Sequence, residues 1–263
     1  MMSFDQFLPH LEEAVQLGVK EFYFTGGEPF ANPDLLKILG ATLQVGPATV
    51  LTNATLFSSQ VVRELAALRD DSIYSLELRV SMDGFSPETN DPIRGPGTFK
   101  RIMRGIKLLL DGGFLPIITA VRSWPIEQDE SQLTGFKTSL AEVGYRYPRI
   151  KLLPSLKIGQ EALRDRGYSE RDYITKSMMV GYDNSQLICS NSRIVSARGV
   201  HVCPILVDQA DSLLGKQLSS ARQAFELRHQ ACMTCYQYGA LCSNASSAAV
   251  NLERMRLSGF RPT

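Results

Sequence analysis

The first 188 residues of this 263-residue chain contain no cysteine, and only five follow: Cys189, Cys203, Cys232, Cys235 and Cys242. An odd count, with no basic-then-apolar export pattern at Met1–His10, argues against a disulfide framework and for metal ligation or free thiols. No apolar run approaches the roughly 18 residues of a membrane span, so no membrane partner is expected. Lys and Arg (28) nearly balance Asp and Glu (27), and a net charge of +1 gives no long-range attraction to nucleic acid. No P-loop, Ser-His-Asp order or metal-ligand cluster occurs before residue 189. A hydrophobic content of 44% excludes a disordered chain and suffices for a buried core. The expectation is a cytoplasmic globular protein whose two regions differ in chemistry.

Strand patterns occur at Glu21–Phe24, Ala48–Thr52, Tyr74–Ser81, Phe114–Val121 and Arg149–Leu153, with starts 26 to 40 residues apart, the length of a βα unit. Helical patterns lie between them. Asn32-Pro33 reads as a cap and first-turn proline opening a helix over Asp34–Leu43. Phe99, Ile102, Met103, Ile106, Leu109 and Leu110 form the stripe of a helix over Thr98–Leu110, ended by Gly112-Gly113. Repeated βα units predict an α/β fold, a parallel sheet that is open or wrapped into a partial (β/α) barrel. The chain starts with a helix, having a Ser3/Gln6 capping box and a stripe of Phe4, Phe7, Leu8, Leu11 and Val15. A parallel sheet normally reaches such a helix from a preceding strand. The expectation is either a helix covering the sheet edge or a barrel without its first βα element.

Parity along Ser75–Asp83 sends Leu76, Leu78 and Val80 one way and Glu77, Arg79, Ser81 and Asp83 the other. In a barrel the polar set lines the lumen. Thr25-Gly26-Gly27-Glu28-Pro29 follows the first strand directly. Two glycines there let a ligand approach the backbone, and Glu28 offers a carboxylate to a cation. Other strand tips are also polar or glycine-containing: Thr52-Asn53, Ser81-Met82-Asp83-Gly84, and Lys157-Ile158-Gly159-Gln160 after the fifth strand. With Arg94-Gly95-Pro96-Gly97, these would converge on one mouth.

With these motifs the sequence resembles the radical SAM enzymes from about Lys20 to Cys242. The resemblance implies that Gly26, Gly27 and Glu28 receive the methionyl ammonium of S-adenosylmethionine. It also implies that Asn53, Ser81 and Arg94 contact its ribose or carboxylate, which suits an amide, a hydroxyl and a guanidinium.

The cysteines form a second constellation. Ile194–Ser196 and Val200–Val202 read as a hairpin around Ala197-Arg198-Gly199, with Gly199 at a positive-φ position between Cys189 and Cys203. Cys232-x2-Cys235 is a close pair, and Cys242 follows. Thiolates so spaced suit one metal centre, zinc or iron–sulfur. The arrangement resembles a twitch/SPASM extension, which implies one auxiliary 4Fe-4S cluster on Cys189, Cys203, Cys232 and Cys235, with Cys242 a spare or alternative ligand. Five cysteines are too few for two four-cysteine clusters. His201 and His229 are expected at the surface, and Trp124 and Tyr145–Tyr147 in packing.

The family's Cys-x3-Cys-x2-Cys motif, which holds the catalytic 4Fe-4S cluster, is missing, as is the strand before it. The chain is therefore expected to be a shortened radical SAM enzyme, with the catalytic cluster only if that motif is supplied. The alternative is a degenerate barrel that binds a peptide or partner, with metal on its cysteines; a third reading is an ordinary α/β enzyme with a zinc knuckle. The expected organisation is a barrel over 1–160, a linker over 161–188 and an auxiliary-cluster domain over 189–263. The resemblance implies reductive cleavage of S-adenosylmethionine to a 5′-deoxyadenosyl radical. It further implies a peptide or small-molecule substrate and a reductase or flavodoxin-type electron donor.

Overall fold

A computed structural model describes residues 1–164 and 167–239. The chain divides into two compact units, one ending at Leu153 and the other starting at Pro154.

The first unit alternates helix and strand throughout: α1 Phe4–Gln16, β1 Phe22–Phe24, α2 Leu35–Thr42, β2 Ala48–Thr52, α3 Ser59–Asp70, β3 Leu76–Ser81, α4 Pro87–Arg94, α5 Thr98–Asp111, β4 Ile117–Val121, α6 Asp129–Glu142 and β5 Arg149–Leu153. The strands form one five-stranded parallel sheet in chain order, β1-β2-β3-β4-β5. One apolar cluster takes Val50, Leu78, Val80, Ile118 and Ala120 from one face of the sheet, together with Leu39, Leu65, Ile102, Ile106, Phe136 and Leu140 from the helices. With the helices on that face, the opposite face belongs to Glu77, Arg79 and their neighbours. This is the α/β partial-barrel arrangement that the sequence predicts.

Several boundaries differ from the sequence expectation for local reasons. Tyr74 and Phe114 lie outside the strands; the Phe114 N–H instead donates to Leu109 and closes the end of α5. Asn32 does not cap α2. Its side chain accepts the Asp34 N–H at 3.1 Å, and α2 opens at Leu35. Asp34 in turn accepts the Phe4 N–H at 2.9 Å, adding a cap to α1 beyond the Ser3/Gln6 box, which is present. The buried stripe of α1 runs through Leu11 and Ala14, while Val15 is 46% exposed.

In the second unit, α7 Gln160–Arg164 and α8 Ile188–Asn191 precede an antiparallel sheet, β6 Ile194–Ser196, β7 Gly199–His201 and β8 Leu213–Gly215, and α9 Cys232–Tyr238 follows. Gly199 opens β7 at φ +133°, and a Cβ there would meet the Gly215 carbonyl at 2.5 Å. The hairpin thus needs glycine for both backbone and space. Among the described residues no helix is long and apolar enough to cross a membrane.

Candidate functional site

The C-terminal ends of β1, β2 and β3 gather the residues singled out in the sequence. β1 runs into Thr25-Gly26-Gly27, all exposed. Gly26 has φ +150°, and a Cβ at Gly26 or Gly27 would have no atom within 4 Å. The loop therefore presents bare backbone to open space. Glu28 then turns back into the protein. Its Oε1 accepts the Thr52 hydroxyl at 2.7 Å and the Phe30 N–H at 3.1 Å, and its Oε2 accepts the Asn53 N–H at 2.7 Å. The carboxylate so ties the tip of β1 to the tip of β2, and keeps about one lone pair, on Oε2, for a ligand cation. Phe30 against Phe57, edge to face at 4.6 Å, reinforces the same junction.

Asn53 uses its side-chain oxygen locally, accepting the Thr55 N–H at 2.9 Å and hydroxyl at 2.6 Å. The next residue, Ala54, is buried at φ +58°, a left-handed conformation costly for a residue with a Cβ. Two contacts hold it: its N–H donates to Thr52 Oγ1 at 3.0 Å, and α5 presses against it at Gly105. A Cβ on Gly105 would stand 2.1 Å from the Ala54 carbonyl oxygen. No sequence pattern singles out Gly105, because helical periodicity is silent about close backbone approach.

Register places Ser81 level with Thr119 on β4, and one step beyond the Val80–Thr52 pair. Its neighbour Val80 is buried in the core; Ser81 therefore faces the inner side with Glu77 and Arg79. On that side Arg79 is 3% exposed, donates to Glu77 at 3.1 Å and lies 5.7 Å over the Tyr23 ring, while Arg149 reaches Glu77 at 2.6 Å. Asp83, sequence-predicted in the lumen, is a buried clamp: it holds Arg94 at 2.8 Å and accepts the Val121 N–H at 2.8 Å. Gly84 is obligatory, since a Cβ there would meet the Asn90 nitrogen at 2.4 Å. The loop after Arg94 is stitched by Asp91, which accepts N–H groups of Phe99 at 2.8 Å and Gly97 at 2.7 Å and so caps α5. Those bonds, the one from Phe99 foremost, hold the Asp91 carboxyl below its ordinary value.

Two observations fit a zwitterionic ligand here. The Gly26-Gly27 cradle is open to a backbone-hugging group. The Nε of Arg94 is buried with no partner in the protein, a donor left over once Asp83 is served. Residues 1–188 hold no cysteine.

In the second unit Cys189, Cys203, Cys232 and Cys235 line one cavity with Leu187, Ile188, Val202, Phe225 and Leu227. None of the four is in a disulfide. Burial pushes Cys203 and Cys232 up to about 11 and raises Cys189, the last offset in part by Arg193. Among the described residues no three of His, Cys, Asp and Glu are gathered tightly enough for a metal ion. A tetrahedral zinc with bonds near 2.3 Å needs thiols within about 4 Å of one another. A cluster of several irons holds its thiolates farther apart, so the four-thiol donor set fits the polynuclear centre better. Cys242 lies outside the described residues. His201 is not at the surface: it is 2% exposed, between Ser196 at 3.0 Å and Ser212 at 2.9 Å. His229 pairs with Asp211 at 2.9 Å. Tyr145 is buried, its hydroxyl donating to Pro116, whereas Tyr147 is 91% exposed and packs nothing.

The fold is a partial (β/α) barrel with an open glycine loop at the C-terminal end of its first strand. Residues 1–128 match the family model for the Radical SAM superfamily. Over that region, just under half of the chain, the sequence is similar to the radical SAM superfamily. The AdoMet-dependent heme synthase of Methanosarcina barkeri is 33% identical over 115 residues, 43% of this chain and 32% of the relative. The mycofactocin maturase MftC of Mycobacterium tuberculosis is 27% identical over 146 residues, 55% of this chain and 36% of the relative. The chain thus spans about a third of the length of these curated relatives. Among solved structures, anSMEcpe with bound AdoMet and a Cp18Cys peptide matches at TM-score 0.61 and 13% identity, over 99% of this chain and 89% of that one. Streptococcus suis SuiB bound to S-adenosylmethionine matches at 0.57 and 16%, over 86% and 59%. These similarities concern the fold.

Proposed function

We propose that the barrel mouth binds S-adenosylmethionine, that the cysteine-lined cavity holds one 4Fe-4S cluster, and that the protein acts on a peptide held against the inner face of the sheet. The observation that carries this reading is the junction of Gly26-Gly27-Glu28 with Asn53, beside Ser81 and Arg94, at three adjacent strand ends. Gly26 and Gly27 admit the methionyl end without Cβ interference, Glu28 faces its ammonium, and the leftover Arg94 donor meets its carboxylate. Asn53 and Ser81 address the ribose. Given a catalytic 4Fe-4S cluster, which needs the Cys-x3-Cys-x2-Cys motif to be supplied, S-adenosylmethionine bound there would be reductively cleaved and would supply the hydrogen-abstracting group. The chain's own residues orient it and shield it from water. A peptide substrate is supported by the maturase relative and by the peptide-bound anSMEcpe fold neighbour. A reductase or flavodoxin-type protein is the proposed electron donor.

Calorimetry with S-adenosylmethionine tests the mouth through Gly27→Ala, whose Cβ touches no protein atom. Binding is expected to weaken about tenfold or more, about 1.4 kcal/mol, with an unchanged melting temperature. Equal binding refutes the assignment. A second reading is a non-catalytic barrel that binds a peptide. Persistent S-adenosylmethionine binding without release of methionine under reducing conditions selects it.

A further inference from the structure

Arg193 lies between α8, which carries Cys189, and β6. Its Nη1 donates to the carbonyls of Cys189 and Ser192, each at 2.7 Å, and its Nε to the Ala221 carbonyl at 2.8 Å. Nη2 reaches the Gln223 carbonyl at 3.5 Å. Every partner is a neutral carbonyl. The half-buried guanidinium has no carboxylate partner among the described residues, and its charge stays uncompensated beside the thiol cavity. The cavity walls are apolar, formed by Leu187, Ile188, Val202, Phe225 and Leu227, so the field there is weakly screened.

We propose that Arg193 is an electrostatic tuning residue of the cysteine-lined centre, raising the reduction potential of the cluster that Cys189, Cys203, Cys232 and Cys235 hold. This rests on the cluster reading above. A cluster on four thiolates is anionic, and it gains one more negative charge on taking up one electron. A fixed cation beside Cys189 stabilises the reduced form more than the oxidised form, and net charge is among the levers that set such potentials. The step is a one-electron transfer from a reductant, with no bond broken and no proton moved. The same guanidinium also pins the Cys189 turn to the Ala221 carbonyl, and the two roles separate by substitution. Lysine keeps the charge without the planar fork, and glutamine removes the charge.

The test is a mediated dithionite titration, followed by electron paramagnetic resonance, of the anaerobically reconstituted full chain, its Arg193→Gln variant and its Arg193→Lys variant. Iron and sulfide are counted in each. The expected result is equal iron content in all three. Arg193→Gln should shift the equilibrium toward the oxidised form by about tenfold, about 59 mV for one electron, and Arg193→Lys should stay near the unsubstituted protein. An Arg193→Gln potential equal to that of the unsubstituted protein overturns the proposal. So does loss of iron from both variants, which would make Arg193 a scaffold for Cys189 only. Absence of iron and sulfide from the unsubstituted protein overturns the cluster reading itself, a separate outcome.

Discussion

Asp83 holds Arg94 at 2.8 Å through one carboxylate oxygen while the other accepts the Val121 N–H, also at 2.8 Å. A single side chain at the end of β3 therefore fixes both the neighbouring strand β4 and the guanidinium at the end of α4. With Asp83 5% exposed, the pair sits where loss of one partner leaves polar groups stranded.

Asp83→Ala is expected to cost about 3 kcal/mol in urea unfolding, and Arg94→Ala clearly less. The first strands a guanidinium and a backbone N–H, whereas the second leaves Asp83 bonded to Val121. Equal costs for the two variants would mean that the buried Asp83 charge left by Arg94→Ala costs as much as losing the Val121 bond.

Gly105→Ala forces a Cβ to within 2.1 Å of the Ala54 carbonyl oxygen, so α5 or the loop after β2 has to move. A destabilisation of about 3 kcal/mol, the upper end for overpacking, is expected in chemical denaturation. Because Ala54 adjoins Asn53, S-adenosylmethionine affinity should fall as well. A variant as stable as the parent would show that the helix can retreat freely.

Asp91 makes part of the stability depend on pH. In the folded protein its carboxyl lies below the ordinary 3.8, chiefly because it accepts the Phe99 N–H. A depressed folded value means that the cap contributes fully above the unfolded-state value and is lost as pH falls through the lower folded one. Asp91→Ala should therefore be less stable than the parent at pH 6. The gap should close as melting curves are recorded progressively below pH 4. A gap independent of pH would place the effect elsewhere.

Cys189→Ala, Cys203→Ala, Cys232→Ala and Cys235→Ala should each lose most reconstituted iron and sulfide, while Cys242→Ala keeps both. Iron analysis after anaerobic reconstitution decides this. Retention by Cys203→Ala together with loss by Cys242→Ala would exchange their roles.

The strand ladder is legible in the sequence because a parallel sheet with helices on one face writes itself as apolar runs at regular spacing. β2 and β5 occupy the predicted residues without change. The alternation in β3 separates Leu78 and Val80 from Arg79 because side chains on a strand point to opposite faces. The Gly-Gly-Glu tip stands out in the sequence because its residue types are distinctive locally. His201 is buried rather than at the surface because burial of a polar side chain depends on partners elsewhere in the chain, here the hydroxyls of Ser196 and Ser212.

What the sequence determines by itself is periodic or local: the βα order, the capping box of α1, the glycine tips and the thiol spacing. The tertiary structure alone decides what Glu28 and Arg193 touch, why Gly105 has to be glycine, and that Cys189 and Cys203 share a cavity with Cys232 and Cys235. Those relationships join segments tens of residues apart, and a contact at that separation arises only when the packed core brings the segments together.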